Sequence, residues 1–162
     1  MSRDSLREYD PSQVIITWSG IPLHSGIVDG TFLTVKRNKP MWKLVKGGDG
    51  EGARVRSSDH SGTLSVTIRN GSAINNLLAS AVNLDALTGA VVAPLLVLDF
   101  CGATLHAGNR AFIQTPPEDT FATTEESRVW VFEADDLFMF SGSAKDVMVN
   151  NEAVGFFGLP NT

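Results

Sequence analysis

The sequence holds a single cysteine, Cys101, in 162 residues. That excludes an internal disulfide and a cysteine-based zinc cluster, and it suits synthesis in a reducing compartment. No apolar run approaches the roughly 20 residues that a bilayer-spanning helix needs. Residues 1–10 carry charges where a signal peptide would carry an apolar stretch, so the protein is expected to stay where it is made, with no membrane partner. The three histidines, His24, His60 and His106, lie far apart and in no metal-ligand spacing. The glycine-rich stretch 47–52 lacks the Lys and Ser/Thr of a phosphate-binding loop, and no helical pattern follows it. The acidic stretch 118–126, with Glu118, Asp119, Glu125 and Glu126, lacks the glycine-pivoted spacing of a calcium loop. Asp59-His60-Ser61 has the letters of a catalytic triad, but neighbours along an extended chain point to opposite faces and do not converge on one substrate. The expectation is therefore no catalytic residue, no metal and no cofactor.

What is present describes one globular domain. Apolar residues make up 43% and charged residues 19% of the chain, which is outside the disordered and membrane classes. Alternation of apolar and polar residues predicts strands over 14–18, 21–23, 31–38, 41–46, 53–57, 62–69, 94–100 and 127–134. Residues 104–115 give one or two more, interrupted near Gly108-Asn109. The clearest is 62–69, where Leu64, Val66 and Ile68 face one way and Ser65, Thr67 and Arg69 the other. Within 94–100, Leu95-Leu96-Val97-Leu98 is apolar on both faces, as in a strand covered by its own core on one side and by the helix or a neighbouring chain on the other. A single helix begins near Ser72, turns Ile74, Leu77, Leu78, Ala81 and Val82 to the core, and ends near Thr88-Gly89. Many short strands and one helix predict a mainly-β fold, a two-sheet sandwich or partly open barrel with a flanking helix. Residues 1–12 are expected to be an arm, 13–140 the β domain and 141–162 a C-terminal extension. That extension carries Val147, Val149, Val154, Phe156, Phe157 and Leu159 and is too apolar for an idle tail, so it is expected to pack on its own subunit, the alternative being docking to a neighbour or the sheath.

Charge is unevenly distributed. Residues 1–70 hold ten basic against seven acidic groups, a balance of +3, and residues 71–162 hold three against eleven, a balance of −8. Opposite poles on one polypeptide favour head-to-tail association, which builds rings or filaments. Pro94 and scattered lysines blunt some strand edges, while long hairpins stay open to pairing. The stretch 47–52 places four glycines in six positions, which predicts a mobile loop between two strands.

Three motifs then bring a family into view: Tyr9-Asp10-Pro11-Ser12-Gln13-Val14, Asp29-Gly30-Thr31-Phe32-Leu33-Thr34-Val35, and the run from Arg54 through Asp59-His60-Ser61-Gly62-Thr63-Leu64 to Ile68. Asn75-Asn76-Leu77-Leu78 and Ser127-Arg128-Val129-Trp130-Val131-Phe132-Glu133 continue the likeness over residues 9–140. The chain resembles the tail tube proteins of contractile-tailed bacteriophages. That resemblance implies a non-enzymatic virion protein whose hexameric rings stack into the conduit for genome ejection. The implied partners are further copies of itself, the tail sheath protein, the tape-measure protein, the baseplate and tail terminator proteins, and DNA in transit, with assembly in the host cytoplasm. Type VI secretion and tailocin-like tubes share the architecture. The resemblance also assigns inter-ring contact to one hairpin: Trp42, Lys43, Lys46, Gly47, Gly48, Asp49, Gly50, Glu51, Gly52, Arg54 and Arg56. Two rival readings stand beside it. One is a carbohydrate-binding β-sandwich using exposed Trp18 or Trp42. The other is an enzyme using Asp59, His60 or His106 from distant loops.

Overall fold

The computed structural model describes residues 9–143, so the expected extension 144–162 and most of the expected arm lie outside the described residues. A 3₁₀ turn (Pro11–Gln13) leads into β1 (Val14–Trp18), β2 (Ile21–Pro22), β3 (Leu33–Arg37), β4 (Trp42–Lys46), β5 (Gly52–Arg56) and β6 (Gly62–Arg69). Helix α1 (Ile74–Thr88) follows, then β7 (Ala93–Asp99), β8 (Leu105–Thr115), β9 (Ser127–Ala134) and β10 (Leu137–Phe140). Among the described residues the fold is mainly β with two sheets and one flanking helix, as expected. One sheet has eight strands in the order β2-β1-β7-β8-β9-β6-β3, with β10 also on β8, and the other is the two-stranded β4-β5 ribbon.

The large sheet covers its own inner face by curling. Strands β1 and β9 are three places apart in the order, about 14 Å in a flat sheet at a spacing of roughly 4.8 Å per strand. Yet the rings of Trp18 on β1 and Phe132 on β9 lie 5.4 Å apart, centroid to centroid. Only strong curvature brings them together, and the architecture is accordingly a partly open barrel. Trp18 is buried, and its indole Nε1–H donates to the Ala111 carbonyl on β8 at 3.0 Å, so the polar atom of the largest core side chain is satisfied. Around this pair the buried residues alternate strictly: Leu64, Val66 and Ile68 on β6, Leu95 and Val97 on β7, Trp130, Phe132 and Ala134 on β9.

Three expectations about strands are corrected. Strand β8 is continuous through Gly108-Asn109, and what changes there is its partner: Leu105 to Gly108 pair with β10, and from Ala111 onward the pairing is with β9. The glycine is required by close approach, because a Cβ at Gly108 would lie 2.7 Å from the Ala134 Cβ. Strand β9 is also not the last. After a bend at Asp135 and Asp136 the chain resumes in the same direction as β10, with the Arg110–Asp135 ion pair and Asp135 N–H donating to the Arg110 carbonyl across the bend. The short segment 137–140 was hidden by its two acidic neighbours. Pro94 also does not blunt an edge. It sits at the start of an interior strand, at the register shift between Ala93 and Leu95, where a missing N–H interrupts nothing.

Helix α1 is fixed to the sheet by a polar residue that periodicity alone overlooks. Asn75 is 2% exposed, and its Oδ1 accepts from the Trp130 indole Nε1–H at 2.9 Å. Its Nδ2 donates to the carbonyls of Arg69 (2.9 Å), Asn70 (3.2 Å) and Ser72 (3.2 Å) where β6 turns into the helix, adding to the backbone N–H groups of Ser72 and Asn75 that already reach the Arg69 and Ser72 carbonyls. Ser72 Oγ accepts from Ile74 N–H at 3.4 Å, and Gly89 ends the helix in the left-handed conformation, φ +65°. Ile74 and Leu78 are buried and Ala81 and Val82 half-pack on the core, but Leu77, expected inside, is 53% exposed. The 3.6-residue period puts Leu77 about 100° away from Leu78, on the solvent side of the anchor. Asn75→Ala would leave the indole N–H and three carbonyls without this partner. The expected loss is about 2–3 kcal/mol of unfolding free energy in a denaturant titration, and a loss below about 0.5 kcal/mol would contradict the assigned role.

Candidate assembly surface

The eleven residues expected to make contacts between rings all lie on the β4–β5 hairpin and its tip. Register pairs Trp42 with Arg56, Lys43 with Val55, Leu44 with Arg54, Val45 with Ala53 and Lys46 with Gly52. The pleat therefore sorts the ribbon into two faces. One presents Trp42, Leu44, Arg54 and Arg56, and the other Lys43, Val45, Ala53 and Val55. All ten strand residues are exposed, including Trp42 (43%), Leu44 (66%) and Val55 (50%). Arg54 stacks its guanidinium over the Trp42 ring, 3.5 Å from the centroid, a contact of about 0.5–1 kcal/mol at an exposed site.

The tip is more ordered than its glycines predict. Gly47 N–H donates to the Glu51 carbonyl at 2.9 Å, Gly50 N–H to the Gly47 carbonyl at 3.0 Å, and Glu51 N–H to Asp49 Oδ1 at 3.1 Å. Gly50 takes φ +87°, which needs glycine, and Gly52 belongs to β5. The stretch expected as a mobile loop is thus a hydrogen-bonded turn.

Asp59-His60-Ser61 serves the base of this hairpin. Asp59 accepts from Ser61 N–H (2.9 Å) and Ser61 Oγ–H (2.6 Å), and the Lys39 Nζ lies 3.1 Å from Asp59 Oδ2. Lys39 precedes β4 and Asp59 follows β5, so the ion pair spans the two legs of the ribbon. Asn38 reinforces it, donating from Nδ2 to Ser61 Oγ (3.0 Å) and accepting from Thr63 Oγ1–H (2.5 Å). The His60 carbonyl accepts from Leu137 N–H at 2.9 Å, which ties the base to β10. The two Ser61 donors, then Lys39, hold the Asp59 carboxyl at about 2, below its ordinary 3.8.

The other candidates disperse. His106 is buried between Val97 and Met139, its Nδ1 lacks a partner among the described residues, and burial pulls its pKa below the ordinary value. Among the described residues His24 Nδ1 approaches the Ile16 carbonyl, at 3.4 Å. Trp18 is 1% exposed and is no sugar platform, contrary to the expectation for it. Among the described residues no three His, Cys, Asp or Glu side chains are placed to share a metal ion. The two charge poles of the sequence do not become poles of the sheet, because β1 and β6, from the basic half, flank β7, β8 and β9, from the acidic half. Positive charge gathers instead on the hairpin.

No protein-family model matches the chain, and no curated protein matches it by sequence. Among solved structures it is similar to the cap that terminates the tube of the anti-feeding prophage. That alignment has 12% identity and a TM-score of 0.56, over 86% of this chain and 97% of that one. It is also similar to the sheath/tube terminator of an extracellular contractile injection system, PVC, in its extended state, with 12% identity and a TM-score of 0.53, over 80% and 94%. The chain shares its fold with structural components that end the tubes of contractile injection systems. No helix among the described residues is long and apolar enough to cross a membrane.

The geometry at the hairpin base sets a pH dependence. A carboxyl held low in the fold stabilises it fully above the ordinary value of 3.8, and that contribution is lost as pH falls toward about 2. Carboxyl-carbon NMR should place the Asp59 midpoint near 2. Asp59→Ala should speed amide exchange in β4 and β5 while leaving β6 and β9 protected, and a midpoint near 3.8 would refute the clamp.

Proposed function

We propose that this chain is a non-enzymatic structural component of a contractile tail or injection machine, that it assembles with copies of itself into a ring on the tube axis, and that the β4–β5 hairpin joins this ring to the next. The observation that carries the reading is a ribbon exposed at every residue that nevertheless displays Trp42, Leu44, Val45 and Val55. A two-stranded hairpin is marginal in water by itself, and apolar side chains gathered on one projecting element mark a partner. Its basic residues Lys43, Lys46, Arg54 and Arg56 add the requirement that the partner surface be acidic.

Within that reading the ring that ends the tube is preferred, with the last tube ring and the sheath as partners. The likeness to a tube-terminating cap and a sheath/tube terminator supports it. The second reading is the repeating hexameric ring of the tube itself, the conduit for the genome with the tape-measure protein inside. It is favoured by the motif resemblance over residues 9–140. Mechanics separates the two: a repeating ring needs complementary surfaces above and below, whereas a terminal ring needs a tube-binding surface on one side only.

Negative-stain microscopy of the concentrated protein decides between them. Discrete rings that attach to tube ends are expected, and long tubes of this chain alone would transfer the role to the repeating ring. Arg54→Glu, which reverses the charge over Trp42 and leaves the turn intact, should abolish attachment without lowering the thermal midpoint. Lone subunits in the ultracentrifuge at high concentration would refute both.

A further inference from the structure

The outer face of the curled sheet is divided into two chemically distinct halves. Over β3 and β6 it is polar, with Thr34, Lys36, Thr63, Ser65 and Thr67 turned out, the usual condition of a wet sheet face. Over β1, β7, β8 and β10 it is apolar. Register aligns Thr17, Leu96, Ala107 and Phe138 in one outward row across these four strands, and Ile15, Leu98, Leu105 and Phe140 in the next. Neither row contains a charge, Phe138 and Phe140 are 56% and 53% exposed, and neither row contributes to the core cluster. At one end the second row runs into a hollow lined by Leu98, Phe100, Gly102, Ala103, Thr104 and Leu105, with Asp99 as its one charge. That carboxylate is engaged within the turn, where its Oδ1 accepts from Cys101 N–H at 2.9 Å, and Asp99 pairs in register with the buried Val14 rather than with either outward row. Helix α1 packs on the inner side through Asn75 and Trp130, so it covers neither row.

The helix carries a second face of the same kind. At about 100° per residue, Leu77, Ser80, Leu84 and Leu87 fall within an arc of about 80° that points away from Ile74, Leu78 and Val82. All three leucines are exposed, Leu87 at 85%. The one charge of the helix, Asp85, is half-buried on the other side, where its Oδ1 accepts from Val91 N–H at 3.1 Å. We infer that these leucines of one copy dock on the outward rows of the next copy, within the ring proposed above. Three observations select that occupant. First, the chemistry matches: both faces are apolar and uncharged, so neither suits the basic ribbon or its acidic partner, and each supplies what the other lacks. Second, the dimensions match, since Leu77 to Leu87 occupies about 15 Å of helix and the four strands span about 14 Å. Third, one contact covers both faces in every subunit, whereas a separate partner for either would leave the other in water. The contact uses a different face on each copy, and a head-to-tail contact of that kind repeats around an axis, as a ring requires.

This inference rests on the ring reading and specifies its contact, so it is tested on the full chain at concentrations where rings sediment. Leu84→Glu and Phe138→Glu each place a charge at an exposed position of one face. Each should lower the ring fraction about tenfold or more, with an unchanged circular dichroism spectrum and thermal midpoint, because the contact would bury an unpaired carboxylate. The two variants spoil different faces. An equal mixture therefore keeps one intact helix face and one intact sheet face, and should give dimers that do not grow into rings. Rings that persist in either single variant overturn this inference and leave the ring reading standing. A mixture that stays monomeric also overturns it, because the helix and sheet faces then do not meet. Lone subunits of the unaltered chain refute the ring reading and this inference together, so the two failures are read separately.

Discussion

Curvature of the eight-stranded sheet is the constraint from which the other features follow. With a single helix among the described residues, the sheet has to bury most of its inner face against itself, and the contact of Trp18 with Phe132 across three strand places is how it does so. The indole–carbonyl bond to Ala111 fixes the depth of that contact, because any flattening would strip a buried N–H of its acceptor. Gly108 and Ala134 belong to the same constraint: β8 can exchange β10 for β9 only where one backbone lies bare against the other. The helix is then needed only as a plug for the open side, which is why it buries no more than Ile74, Asn75 and Leu78.

A curled sheet with blunt edges channels association to particular places. Strand β2 is two residues long and contains Pro22, and β3 carries Lys36 and Arg37, so neither terminal strand is a good template for pairing. The β4–β5 ribbon keeps an open pairing edge on each strand and is held at its base by Lys39, Asp59 and the Asn38 network. A clamp at the base with an ordered turn at the tip presents a preformed element, so a partner gains its contacts without ordering a coil first. Both termini of the sheet are protected while the projection is left free.

The fold was legible in the sequence wherever one face of an element is dry and the other wet. Residues 62–69 show this best, since their alternation needs no knowledge of neighbours. Legibility failed where the deciding partner is remote in sequence. Leu77 and Asn75 exchange their expected places because Trp130, 55 residues away, supplies the hydrogen bond that draws the asparagine inward. Strand β10 was invisible because its identity depends on β8 and on a bend of two aspartates. The hairpin was readable as a candidate site from its glycines and charges, but its order was not, because the turn hydrogen bonds depend on backbone geometry that glycine permits without dictating. The triad-like letters Asp59-His60-Ser61 misdirect for the same reason: their roles come from Lys39 and Leu137, neither of them adjacent.

The apolar run Leu95-Leu96-Val97-Leu98 joins the two scales. Read alone it requires cover on both faces, and the structure supplies the inner cover through Trp18 and Phe132 while leaving Leu96 and Leu98 turned outward. Sheets with one wet face keep that face polar, as β6 and β3 do here. An outward row that stays apolar across four consecutive strands is therefore a property of the surface, not of any one strand, and it demands an occupant as firmly as the exposed ribbon demands one. The two demands differ in kind. The ribbon projects, is basic and is open along its edges, which suits a separate acidic partner. The sheet face is a curved apolar surface spread over four paired strands, which suits a broad uncharged partner surface.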